Sequence, residues 1–169
     1  MIKLAGCLCI VLSGALAGAR KASAYQRRRK ELEAALELLQ LMELELTYRK
    51  DALYKIFAAT AIQKACVFSE LLLSCSERLQ QQCSLQEAWK QAMQQVDTAA
   101  FSEQDLQILQ DFTLGLGRSD ALGQKDLLQP IQVKLTERIQ EARAEELQKG
   151  KLYQGLGLST GVLIAIVIF

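Results

Sequence analysis

The chain has 169 residues, enough for one domain of ordinary size, and half of them are hydrophobic. Its 20 basic and 19 acidic side chains leave a net charge of +1, which argues against a nucleic-acid binder that works by neutralising phosphates. A single proline, and a middle region with few glycines, predict an all-α protein.

The chain begins with an apolar segment. No charged side chain lies between Leu4 and Ala19. A helix of that length rises about 24 Å, a little short of the hydrocarbon core of a bilayer, and the residues before it extend it. We therefore expect a transmembrane helix at residues 1–19, in which Gly14 and Gly18 lie one turn apart and allow close helix packing.

A second apolar segment closes the chain at residues 153–169. It has no charged side chain, and Tyr153 lies at its polar end, as is typical of a membrane interface. Gly157 and Gly161 repeat the one-turn spacing of the first segment. We expect a second transmembrane helix here, although a buried helix of a soluble protein is the alternative for so short a run.

Basic residues set the expected orientation. Six of them follow the first segment before any acidic residue: Arg20, Lys21, Arg27, Arg28, Arg29 and Lys30. Such a cluster keeps the following chain in the cytoplasm and suits anionic head groups at the membrane surface. Residues 20–152 are therefore expected to form a compact antiparallel helical bundle on the cytoplasmic side, flanked by the two transmembrane helices.

The first helix is expected to continue out of the membrane without a break. Apolar side chains recur at steps of three and four residues along one face: Leu32, Leu36, Leu39, Met42 and Leu46. Asp51 is the expected cap of a second helix that ends near Ala61, and a third helix covers roughly residues 67–81.

Two serines predict the next helix starts. Ser84 is followed by Glu87 at the third helical position, and Ser102 is followed by Asp105 in the same way. The last helix is expected to begin near residues 119–120 and to run into the second apolar segment. Pro130 either kinks this helix or marks the start of its regular part, because proline removes a backbone donor and crowds the preceding turn.

The loop at residues 114–124 has two readings. Its glycines, before a helix start, resemble a phosphate-binding loop, which would make the chain a nucleotide-binding protein. Such a loop normally follows a strand, and no strand pattern precedes this one. The favoured interpretation is structural: Gly117 ends one helix, and Ser119 or Asp120 caps the next.

Residues suited to catalysis are few. The chain has no histidine, and its five cysteines form no CxxC motif, so we expect buried free thiols. Three carboxylates on polar helix faces are expected to be solvated charges: Glu103, Asp105 and Asp111. We predict that the protein is not an enzyme and has no cofactor, metal ion, nucleic acid or small-molecule substrate.

A processing signal gives a different account of the N-terminus. Residues 22–24 have the A-x-A pattern of a signal peptidase site after an apolar stretch. Cleavage after Ala24 would export the rest of the chain as a helical domain. The basic residues on both sides of this site oppose export, so the membrane-anchored interpretation is preferred.

Several short motifs together resemble one family. After the first apolar segment come "LELTY" at 44–48, "EAW" at 87–89, "LGLGRSD" at 114–120 followed by Gln124, and "KLYQGLG" at 151–157, which leads into the second. In this order the chain resembles the stage III sporulation protein AB family over essentially its whole length. It departs from the family at 49–51, where Arg-Lys-Asp replaces a frequent glycine and proline.

This resemblance implies a function. It implies a non-catalytic membrane platform or adaptor in a secretion-like channel between mother cell and forespore. The bundle would lie on the cytoplasmic side of the mother-cell membrane that faces the forespore. The implied partners are the membrane and other stage III sporulation proteins, among them a secretion-type ATPase. In this setting Gly117, Ser119 and Asp120 would be structural or partner-facing residues.

Overall fold

The computed structural model describes the backbone of residues 2–48, 51–116, 123–153, 155–156, 159–160 and 163. Side chains are described from residue 12 onward within these ranges, except at 47, 114 and 123–127. This part of the chain is helical and contains no strand, which confirms the all-α prediction. Its elements are α1 (Ile2–Tyr48), α2 (Leu53–Ala61), α3 (Val67–Gln80), α4 (Leu85–Gln95), α5 (Glu103–Leu116), α6 (Gly123–Glu145) and a π-helix (Glu146–Gly150).

The chain divides into two compact units. Residues 1–29 and 140–169 form one, which we call the terminal unit, and residues 30–139 form the central unit. The first and last helices contribute to both units, because α1 and α6 each extend across a boundary between them.

The core of the central unit is aliphatic with an aromatic centre. Helices that are neighbours in sequence pack together in the order α2 on α3, α3 on α4 and α4 on α5. Burial of these apolar side chains is the main force that holds the unit together. The largest fully buried ones are Leu32, Leu38, Leu39, Met42, Phe57, Phe68, Leu71, Leu72, Leu109, Phe112, Leu128 and Leu135.

The two predicted serine caps are confirmed. The Ser84 hydroxyl accepts a hydrogen bond from the Glu87 backbone N–H at 3.3 Å. At α5 the arrangement is reciprocal: the Ser102 hydroxyl accepts from the Asp105 N–H, and the Asp105 carboxylate accepts from the Ser102 N–H at 2.9 Å. Each bond satisfies a backbone group that has no partner within the helix.

The prediction for the start of α2 is wrong, and the cap of α3 was not predicted. Ala52, not Asp51, is the N-cap of α2, with no side-chain cap bond. At α3 the Cys66 thiol accepts from the Ser69 N–H, and the Ser69 hydroxyl accepts from the Cys66 N–H. Cysteine is not among the usual cap residues, so the pattern gave no signal.

The last helix has the predicted buried face. Leu128, Ile131, Leu135, Ile139 and Ala142 are all buried. Pro130 lies inside α6, which begins at Gly123, so this proline does not mark the start of the helix. The expected start near residues 119–120 lies outside the described residues.

The transmembrane predictions receive no support from the described residues. Among them, no helix combines the length and the apolar character that a bilayer crossing requires. The side chains of residues 1–11, and much of the 153–169 segment, lie outside the described part of the chain.

The thiols of the central unit are free, as expected. Cys66 and Cys75 are buried, and Cys83 is half-buried. Burial raises the pKa of the Cys75 thiol to about 12, because the thiolate would lose its hydration. Burial also raises the pKa of Cys66. These two cysteines therefore serve as small apolar or capping residues.

A thiol-labelling experiment tests this assignment. With Cys7 and Cys9 replaced by serine, we expect maleimide at pH 8 to modify Cys83 first and to leave Cys75 unmodified in the folded chain, since only the thiolate reacts. The contribution of the protonated Cys75 to stability is present below the ordinary thiol pKa and is lost as the pH rises towards about 12. Digestion and mass spectrometry measure the order of labelling. Equal rates at Cys75 and Cys83 in native protein, with urea-unfolded protein as the control, would contradict the assignment.

Candidate functional site

Charged and aromatic side chains of the terminal unit form a cluster that we call the collar. Its residues come from α1 on one side and from the end of α6, the π-helix and the turn after it on the other. They are Tyr25, Arg28, Arg29, Glu145, Glu146, Lys149 and Tyr153.

Ion pairs join the two sides of the collar. The Arg28 Nη1 lies 2.6 Å from Glu145 Oε2, and the Arg29 Nε lies 2.5 Å from Glu146 Oε2. All four side chains are less than a third exposed, so solvent screens these pairs less than it screens a surface pair. Lys149 adds a bond to Glu145 at 2.6 Å.

An aromatic pair completes the collar. The rings of Tyr25 and Tyr153 stack with centroids 6.1 Å apart and planes inclined by 17°. The Lys149 Nζ lies 5.8 Å from the centre of the Tyr25 ring, within the range of a cation–π contact. Desolvation raises the pKa of the Tyr25 hydroxyl, and the hydrogen bond to Glu145 raises the pKa of Lys149. Lys149 therefore remains charged, and Tyr25 neutral, near neutral pH.

A groove of about 280 Å³ lies beside the collar. On the α1 side it is lined by small and polar residues such as Ala22 and Ser23, and on the other side by the π-helix, including Leu147 and Gly150. A Cβ atom at Gly150 would meet nothing within 4 Å. The π-helix widens the turn here, a feature that is rare and often found at functional sites.

The six predicted surface cations divide into two groups. Arg28 and Arg29 belong to the collar, while Arg20, Lys21 and Lys30 are exposed. Arg27 is also exposed and takes part in a further interaction. The pairing across 117 residues of sequence could not be read from the basic run alone.

The other predicted site residues are only partly described. Gly18 is buried and Gly14 half-buried in the terminal unit, whereas Gly157 and Gly161 lie outside the described residues. The loop residues Gly117, Ser119 and Asp120 also lie outside them. Their assigned roles stay predictions.

Asp105 departs from the expectation of a solvated charge. Its side chain is 0% exposed, and Arg138 of α6 donates from Nε to its Oδ1 at 2.8 Å. Arg138 also donates to the Ser102 hydroxyl at 3.3 Å. The expectation failed because burial comes from α6, and the pattern of α5 alone carries no information about that contact.

Two grooves are described among the residues of the central unit that the structure covers. One, of about 460 Å³, lies between α1 and α6 and is rich in glutamine: Leu36, Gln40, Gln129, Gln132, Val133, Thr136 and Glu137. The other, of about 540 Å³, lies between α4 and α5 and is lined by Gln86, Trp89, Lys90, Met93, Gln94 and Gln110. Among the residues that the structure describes, no cluster of three or more acidic, cysteine or histidine side chains is placed to hold a metal ion.

The fold and the collar define the class of the chain as an all-helical protein with a cluster of paired charges in its terminal unit. The chain belongs to the stage III sporulation protein AB family, whose family model matches residues 3–169. The resemblance carried by the sequence motifs is thereby confirmed. The protein is a sporulation-specific component.

A solved structure titled "Stage III sporulation protein AB" is similar to this chain. The two are 23% identical with a TM-score of 0.66, and the match covers 72% of this chain and 98% of the other. This likeness shows a common fold. Comparison with curated protein sequences gives no match.

Proposed function

We propose that the protein is a non-catalytic platform or adaptor in a secretion-like channel between mother cell and forespore. In this proposal the terminal segments insert into the mother-cell membrane, and the bundle on the cytoplasmic side couples to a partner ATPase. The collar is the observation that carries the proposal. It ties the two ends of the chain to each other where they leave the two apolar segments.

Exposed leucines in both terminal segments support membrane insertion. Leu12 and Leu16 are 53% and 65% exposed on α1, and Leu163 is 63% exposed in the C-terminal segment. Leu12 and Leu16 lie four residues apart on one face of α1, and neighbouring exposed leucines favour an apolar environment over water. Arg20 and Lys21, exposed directly after the first segment, suit contact with anionic head groups.

The collar also favours retention of the N-terminal segment over cleavage after Ala24. α1 is continuous from Ile2 to Tyr48, Ala22 is buried, and Tyr25 stacks on Tyr153. Residues on both sides of Ala24 thus belong to one packed unit.

The nucleotide-binding alternative is not favoured. A phosphate-binding loop normally follows a strand, whereas the element before residues 117–122 is helix α5.

Charge reversal at the collar tests the proposal. Arg28→Glu and Glu145→Arg each place like charges where the wild type has an ion pair. Because the proposal assigns the collar the task of holding the two ends of the chain together, we expect each variant to lower spore yield by about tenfold or more. The double swap should recover part of the yield, because it restores an opposite pair between positions 28 and 145 but loses the bond from Lys149 to Glu145. Heat-resistant spore counts measure this, and carbonate extraction of membranes measures insertion.

Lys64→Glu serves as the matched control, because the Lys64–Glu37 pair is exposed and belongs to the central unit. We expect normal spore yield and membrane retention for this variant. Normal spore yield in both single collar variants, or release of the wild-type chain by carbonate, would refute the proposal.

A further inference from the structure

The groove between α4 and α5 contains a buried donor without an acceptor. Trp89 lines this groove with its side chain 3% exposed, and its indole Nε1–H has no hydrogen-bond partner. A buried N–H that makes no hydrogen bond is costly, and indole N–H groups in protein interiors usually find one. A carbonyl or carboxylate oxygen of a ligand that reaches the indole Nε1–H would satisfy this donor.

The groove has the composition of a protein-binding surface. Its least exposed lining residues are Trp89 and Met93, and its three glutamines are exposed. Aromatic residues and methionine are enriched in protein interfaces, and methionine adapts to irregular partner surfaces. Glutamine amides offer both donors and acceptors, which suits the backbone of a polypeptide.

The charge of the groove selects the partner. Lys90 is the single charged side chain among its lining residues, and it is exposed. A segment with carboxylates is therefore complementary to the groove, and a basic segment is not.

We propose that this groove binds an acidic segment of a partner protein. A carboxylate of the segment pairs with Lys90, an apolar side chain packs on Met93, and an oxygen atom accepts the Trp89 N–H. The inference rests on the proposed role of the protein as a component that works through protein contacts, and it adds the surface and the chemistry of one such contact.

The first test uses Trp89 as its own reporter, because it is the only tryptophan in the chain. The full-length protein in a neutral detergent is titrated with a short synthetic peptide that has glutamates around a leucine, and with a counterpart that has lysines instead. We expect a saturable change in tryptophan emission with the acidic peptide alone. Lys90→Glu should weaken that binding by about tenfold or more, which corresponds to about 1.4 kcal/mol or more.

Lys55→Glu on α2 is the matched control, since Lys55 is also exposed and lies outside the groove. It should bind the acidic peptide as the wild type does. An absent response, an equal response to both peptides, or a response to anionic phosphatidylglycerol vesicles instead of the peptide would overturn the inference. Unchanged binding in Lys90→Glu would overturn it as well.

A genetic test separates this inference from the proposed function. We expect the Lys90→Glu allele to lower spore yield, while Lys55→Glu leaves it normal. If deletion of the gene abolishes sporulation and Lys90→Glu does not affect it, the groove assignment fails and the general role stands. If deletion has no effect, the general role fails, and the peptide titration still decides whether the groove binds an acidic segment.

Discussion

Replacement of Arg138 by methionine is expected to destabilise the protein by about 3–5 kcal/mol. The Asp105 carboxylate is fully buried, and Arg138 Nε lies 2.8 Å from it. Removing the guanidinium leaves a buried negative charge without this cation, although the Ser102 N–H still donates to the carboxylate at 2.9 Å. The unfolded chain suffers no such loss, because water solvates Asp105 there.

Urea unfolding of the full-length chain, followed by Trp89 fluorescence, measures this effect. The double variant Asp105→Asn with Arg138→Met should regain part of the lost stability, because the neutral amide can still accept the Ser102 N–H and leaves no unpaired charge. Lys134→Met on the same helix is the control, since Lys134 is exposed. Equal urea midpoints for Arg138→Met and Lys134→Met would show that the Arg138–Asp105 pair does not contribute to stability.

Local signals in the sequence predicted the helices well. Ser84 and Ser102 fixed two helix starts, since a cap bond involves residues only three apart. The face of α6 was predictable because its apolar positions repeat with the helical period. Asp51 failed as a cap because the residue type suits a cap, while the backbone turns one residue later, at Ala52.

Long-range contacts were beyond such reasoning. The basic run and the Glu145–Glu146 pair are both visible in the sequence, but their pairing depends on how α1 and the end of α6 align. The left-handed conformation of Gln82 after α3, with φ of 63°, also had no signal, because glycine is the usual residue there. The ion pair between Arg138 and Asp105 is likewise a contact between helices that are distant in sequence.

Phe68→Ala is the second large effect, with an expected loss of about 3–5 kcal/mol. The Phe68 ring is fully buried and packs edge-to-face on Trp89 and on Phe112, with centroids 6.4 Å and 6.3 Å away. One side chain therefore joins α3 to α4 and α5. Its removal deletes apolar contacts and both aromatic pairs, and leaves a cavity that close-packed neighbours fill only in part.

Leu73→Ala is the control for this variant, because Leu73 lies on the same helix and is 44% exposed. Its expected loss of stability is well below that of Phe68→Ala. Equal urea midpoints for the two variants would contradict the role of Phe68 in stabilising the aromatic centre of the core.

Phe68 also packs on the ring of Trp89, which lines the α4–α5 groove. Under conditions where the Phe68→Ala variant remains folded, it should therefore bind the acidic peptide more weakly than Leu73→Ala does, since Trp89 has lost the side chain that holds its ring in place.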